Sequence, residues 1–224
     1  MLGAKLIGPG GLITDYSDLS LHFEVVSEPA FPASSVIEDF TGTNGTALAS
    51  LPSGNWTNVF GSGGLTTQSN QCASTGTGSD RYNAATFGPD FDLTLDIVTP
   101  PAGADEEVDI VWMTSNIATW DANGQGYIIG FTTVDDALYL VRQDNGTGDQ
   151  TVLDSTTQAI SAGDAIGIRR IGNAIRLMYK PSGGSWSIVL SADDDTFVGA
   201  GGVAIFSSSD ASTRLDNLTA GTLS

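Results

Sequence analysis

The chain has 224 residues, 40% of them hydrophobic, with 28 glycines, one cysteine and one histidine. That is enough apolar material for the core of one large domain, and a lone Cys72 excludes an internal disulfide. Against 26 acidic residues stand only 8 Lys and Arg, a formal net charge of −18, which makes nucleic acid and anionic membranes poor partners.

Residues 1–35 differ from the rest of the chain. They hold Pro9, Pro29 and Pro32, a glycine pair and one convincing apolar run, so they read as an extended arm with a single strand at Leu19–Val26. Leu2, Leu6, Ile7, Leu12 and Ile13 are its apolar anchors, and such a segment gains order by lying on a neighbour. Met1–Gly11 shows neither the apolar core nor the cleavage site of a secretory signal. No stretch reaches the roughly 18 apolar residues that a membrane helix needs.

From Val36 to the end the hydrophobic period is two, and residues 36–224 form one domain. Asp90–Thr99 puts Phe91, Leu93, Leu95 and Ile97 on one face and Asp90, Asp92, Thr94 and Asp96 on the other. Glu107–Ser115 comes next, with Val108, Ile110 and Trp112 opposite Glu107, Asp109, Val111 and Met113. Strands are then predicted at 126–133, 137–143 and 151–154. A meander succeeds them over 164–171, 174–180 and 185–190, joined by Gly172-Asn173 and by Pro181–Gly184. Trp186, Ile188 and Leu190 are expected inside, with Ile168, Leu177, Val203 and Ile205. No segment keeps a helical period over ten residues, and about a dozen strands suit a two-sheet antiparallel sandwich.

The two ends of this domain answer each other. Residues 198–222 carry a Gly-rich turn, an alternating strand and a last strand with Leu215-Asp216-Asn217-Leu218, and residues 36–56 carry Asp39-Phe40, a Gly-Thr turn and Trp56. Together they resemble the ends of the concanavalin A-like lectin/glucanase jelly roll. That resemblance implies that the strand around Glu38–Phe40 lies beside that of Arg214–Thr219. It is informative about fold and weak about activity, because the fold serves lectins, glycosidases, adhesins and virion proteins.

Glu107-Val-Asp109 matches the first two positions of the Glu-x-Asp-x-(x)-Glu strand of laminarinase-type glucanases, but residues 111 and 112 are Val and Trp where a second Glu belongs. Glu107 and Asp109 are therefore expected on a solvated strand face, and catalytic residues are expected to be none. His22, the sole histidine, lies in the arm, which leaves no partner for a Ser-His-Asp arrangement or a zinc site. No cofactor is expected. Calcium is the one metal worth weighing, at Asp193-Asp194-Asp195 or at Asp121 and Asn123, although neither loop has the spacing of a dedicated calcium loop. For a glycan the best contact is Trp120, in the loop Thr119-Trp120-Asp121-Ala122-Asn123, with Asp121 and Asn123 beside it.

Half the basic residues, Arg169, Arg170, Arg176 and Lys180, fall within twelve positions. With the arm, they are the expected contact surface toward neighbouring subunits. Composition, arm and resemblance favour a non-enzymatic bacteriophage virion protein, a capsid decoration or tail-fibre subunit. It would be made in the host cytoplasm and assembled as a homo-oligomer, a trimer by preference. The alternative is a carbohydrate-binding, lectin-like module.

Overall fold

The computed structural model describes residues 30–223, apart from 62–63, 75, 104–105, 134 and 209–211. The predicted strand at Leu19–Val26 and the five anchors Leu2, Leu6, Ile7, Leu12 and Ile13 lie outside the described residues.

Fifteen strands succeed one another among those described. The first five are β1 (Ser35–Glu38), β2 (Trp56–Phe60), β3 (Leu65–Thr67), β4 (Cys72–Ser74) and β5 (Gly78–Phe87). The next five are β6 (Phe91–Thr99), β7 (Glu107–Ser115), β8 (Gln125–Thr132), β9 (Ala137–Gln143) and β10 (Gln150–Thr157). The last five are β11 (Asp164–Ile171), β12 (Ala174–Lys180), β13 (Ser187–Asp193), β14 (Gly201–Ser207) and β15 (Arg214–Thr222). They make two antiparallel sheets. One runs β13-β12-β11-β6-β15-β4-β3, with β1 also on β15, and the other runs β10-β9-β8-β7-β14-β5-β2.

The expected closure is present: Ser35, Val36 and Glu38 face Ala220, Thr219 and Leu218 across β1 and β15. Strand alternation explains the core. Phe91, Leu93, Leu95 and Ile97 of the first sheet pack toward Ile110, Trp112, Val203 and Ile205 of the second, all buried. Cys72 is buried as well, and burial pushes its thiol pKa up, as befits a small apolar side chain.

Two departures from the alternation have local causes. Ile188, expected inside, is 52% exposed, and Trp186 is only half-buried. Leu177 faces Leu190 but Met178 faces Ile188, so Val189 is an extra residue, and this bulge turns Ile188 away from the core. Trp186 instead meets Phe31 edge-on at 4.9 Å, with Lys180 Nζ 5.2 Å from its ring centroid.

The second departure is on β6, whose polar face is not solvated. Asp92 is fully buried, because the segment 30–34 lies across it: the Ala33 N–H donates to Asp92 Oδ2 at 2.8 Å. Arg169, on the neighbouring strand β11, donates to both carboxylate oxygens at 2.8 and 2.6 Å and to the Ala30 carbonyl at 3.2 Å. The Phe31 ring covers its guanidinium at 5.1 Å. The described end of the presumed arm is thus tied to its own domain.

Candidate functional site

The outer face of the seven-stranded sheet carries a second apolar cluster. Val111, Met113, Ile128, Val141, Ala204 and Phe206 alternate with the core positions of their strands, and Trp120 packs on them. Most sheet faces turned away from a core are polar, so an apolar outer face asks for a cover or a ligand. The turn Ile117–Asn123 supplies part of the cover. It folds back so that Trp120 is buried, with Nε1 donating to Ser79 Oγ at 2.9 Å and ring centroids of Phe60 and Phe206 at 5.7 and 5.8 Å. Gln143 Nε2 donates to the Trp120 and Gly124 carbonyls and holds the turn in place. Trp120, the expected glycan contact, is therefore a buried part of the cover, tilted against Phe60 and edge-on to Phe206. Asn123 accepts from Thr119 within the same turn.

Beside the turn the face is left uncovered, as an open cleft of about 470 Å³. Phe60, Trp120 and Phe206 form one wall, Ile128 and Val141 the apolar floor, and Asp121, Thr147 and Gln150 the rim. Of the three expected glycan contacts, Trp120 and Asp121 thus border the cleft and Asn123 does not. The remaining polar floor is Glu107, Asp109 and Tyr139. They meet because of register: Asp109 on β7 faces Gly130 on β8, and Gly130 faces Tyr139 on β9. A Cβ at 130 would run into Asp109 Oδ1 and stand 2.8 Å from the Tyr139 hydroxyl, so glycine there opens the row. Tyr139 can then lean across and donate to Asp109 Oδ1, with Glu107 Oε2 at 3.4 Å.

Asp109 is therefore not on a solvated strand face; it is 5% exposed. Burial pushes its carboxyl well above the ordinary range, and the Glu107 charge adds to this while the Tyr139 hydrogen bond works against both. Burial also raises Glu107, again opposed by Tyr139. For Tyr139 itself, burial and then the two carboxylates hold the phenol protonated. A carboxyl whose pKa is raised by folding stabilises the folded state at low pH, and that stability is lost as pH rises from the unfolded toward the folded value. Each pH unit over which folded Asp109 stays protonated while the unfolded one is ionised costs about 1.4 kcal/mol. Asp109→Asn, which keeps the shape and removes the titration, is expected to be more stable than wild type at pH 7. Thermal unfolding from pH 4 to 8 checks this: the wild-type midpoint should fall across that range more steeply than that of the variant.

The expected calcium residues behave otherwise. Asp194 accepts from Tyr127 Oη at 2.6 Å, Arg142 Nη1 at 2.8 Å and the Thr196 N–H at 2.9 Å. Burial works to raise its pKa, but these hydrogen bonds outweigh burial and bring it down to about 2. Its oxygens are already taken by protein donors. Among the described residues no group of three or more His, Cys, Asp or Glu is placed to hold a metal ion.

The basic window splits in two. Arg169 is committed to Asp92, and Arg170 is buried on the core side, where Nη1 donates to the Pro89 carbonyl at 3.1 Å and the guanidinium lies 6.0 Å from both the Trp112 and Tyr127 rings. Both are interior, so the expected contact surface does not include them. Arg176 lies opposite Arg169 in the sheet, and Lys180 lies over Trp186.

An all-β sandwich of two antiparallel sheets, with its first and last strands side by side, is a concanavalin A-like jelly-roll fold. Solved structures of that kind resemble it. Carbohydrate binding module CBM66 from Bacillus subtilis aligns over 75% of this chain and 95% of its own, at 18% identity and a TM-score of 0.52. The calcium-bound exoplasmic/lumenal domain of VIP36 aligns over 85% and 90%, at 12% identity and a TM-score of 0.57. A legume lectin-like domain from Entamoeba histolytica aligns over 82% and 100%, at 10% identity and 0.55. No protein-family model and no curated protein sequence matches the chain.

Proposed function

We propose that this chain is a carbohydrate-binding, lectin-like module whose ligand occupies the cleft on the outer face of the seven-stranded sheet. The observation that carries the reading is the cleft itself. Saccharide recognition uses an apolar face beside convergent hydrogen-bonding groups, and here the half-buried Phe60 stands across from Glu107, Asp109 and Tyr139, with Gln150 and Thr147 on the rim. The structural neighbours support it: one is a carbohydrate binding module, and the VIP36 domain has been seen with Man3GlcNAc and with Man2. The role is binding rather than cleavage. Where laminarinase-type glucanases carry their second Glu, this strand has Val111 in the outer cluster and Trp112 in the core, so β7 itself does not supply the second carboxyl that a retaining mechanism needs.

A glycan array probed with the full chain tests this. Thr147 is exposed on the rim, so Thr147→Trp fills the cleft without disturbing the core. Oligosaccharides that bind wild type are expected to bind the variant at least about tenfold more weakly, the scale of one lost charge-assisted hydrogen bond, and to be recovered uncleaved. An array with no hits, or hits insensitive to Thr147→Trp, would exclude the cleft as a glycan site.

We also propose that the module serves in a bacteriophage particle as an oligomeric decoration or fibre subunit. This rests on the acidic composition and the arm-like residues 1–35 of the sequence. Mass spectrometry of purified particles tests it, and absence of the chain from them would overturn it.

A further inference from the structure

The cleft has a charge character that narrows its ligand. Three of its lining side chains are carboxylates, Glu107, Asp109 and Asp121, and among the described lining residues none is Lys, Arg or His. Two of the three share a single protein donor, the Tyr139 hydroxyl. That hydroxyl takes one oxygen of Asp109; the other, Oδ2, receives no hydrogen bond from the described residues, although the residue is only 5% exposed and borders the cleft. Oδ2 opens to the cleft, and an ammonium there would favour the ionised form that burial and the Glu107 charge work against. The wall opposite is aromatic, and an ammonium gains from such a face as well as from the carboxylates. The chain as a whole, at −18, draws cations toward itself and repels anions.

We infer that the cleft selects a glycan bearing free primary amines, a glucosamine-type saccharide, over neutral, N-acylated or acidic ones. This rests on the reading of the cleft as a saccharide site. The ammonium would fill the donor gap at Asp109 Oδ2 and neutralise the Glu107–Asp109 pair, and the sugar ring would lie along Phe60. A uronic or sialic acid would bring a carboxylate into a cleft lined by three acidic side chains and, among the described lining residues, by no cation. An N-acetyl group keeps an N–H but removes the charge and adds bulk to the donor.

The test is calorimetric titration of the full chain with four oligosaccharides of equal length: a fully deacetylated glucosamine oligomer, its N-acetylated counterpart, a neutral β-glucan oligomer and an oligogalacturonate. Trilysine serves as a fifth, sugar-free cation. The deacetylated oligomer is expected to bind at least about tenfold more tightly than the rest, trilysine included, consistent with charge-assisted hydrogen bonds. Its affinity should fall several-fold between about 50 and 500 mM salt, on the order expected for exposed charge pairing. Glu107→Gln and Asp109→Asn should each remove most of that preference while leaving the circular dichroism spectrum unchanged. The salt series on wild type needs no variant, so a misfolded Asp109→Asn leaves the test intact. Equal or tighter binding of the neutral or N-acetylated oligomer would overturn the charge selectivity and leave the saccharide site standing. Trilysine binding as tightly as the amino-glycan would overturn the sugar part and leave a bare cation site. Binding of none of the five would overturn the inference together with the reading on which it rests.

Discussion

Asp92→Ala is expected to destabilise the domain by about 3–5 kcal/mol, the range for breaking a buried ion pair from one side. Arg169 would lose both of its short hydrogen bonds to the carboxylate while its side chain stays 5% exposed in the sheet. The Ala33 N–H would lose its acceptor at the same time, so the segment 30–34 should loosen from the sheet. The complementary experiment separates the charge from the packing. Replacing the pair together, as Asp92→Leu with Arg169→Met, leaves no orphaned charge, and such replacements are often neutral in stability. Urea midpoints for wild type, the single variant and the double variant decide the matter. A single-variant loss under about 1 kcal/mol, the scale of an exposed pair, would mean that the pair is wet.

Trp112→Ala is expected to cost about 3–5 kcal/mol, as large aromatic truncations in cores do. The indole lies between Phe91, at 4.5 Å and nearly parallel, and Tyr127, at 5.8 Å, and donates from Nε1 to the Phe87 carbonyl at 3.1 Å. Arg170 makes the loss worse, since its guanidinium lies 6.0 Å from the Trp112 ring and its Nε has no hydrogen-bond partner among the described residues. Gly201 fixes the other side, because a Cβ there would meet the indole Nε1 at 2.6 Å. Trp112→Phe keeps a ring between Phe91 and Tyr127 and should recover part of the loss without the Phe87 bond. Equal losses in both variants, by the same urea midpoints, would show that the hydrogen bond and not the stack carries the energy.

Most of the scaffold could be read from period two alone. Strands β7, β9, β11 and β12 have the predicted bounds, because each is an apolar-rich run between clear turn signals. Ile188 went astray because a bulge reverses the faces, and nothing in Ser187-Ile188-Val189-Leu190 announces the extra residue. The same limit governs the site. Alternation placed Glu107 and Asp109 together on the face away from the core, but said nothing of what lies over that face. The cleft depends on the turn carrying Trp120 folding back to Ser79 and on Gly130 making room for Tyr139. Both are contacts between residues remote in sequence. Tyr139 offered a weak local sign, a hydroxyl at an outward position of a strand otherwise rich in apolar residues. The buried state of Arg169 was equally hidden, since only sheet register brings Asp92 beside it.

Whether the outer face of the seven-stranded sheet holds a saccharide is tested most directly by amide chemical-shift mapping. The 15N-labelled chain would be titrated with the tightest oligosaccharide from the array. The largest shifts are expected at Tyr139, Val141, Thr147 and Gln150 and around Phe60 and Phe206, with the opposite sheet unmoved. Shifts confined to the outer face of the other sheet, around Arg176 and Lys180, would contradict a saccharide site in the cleft.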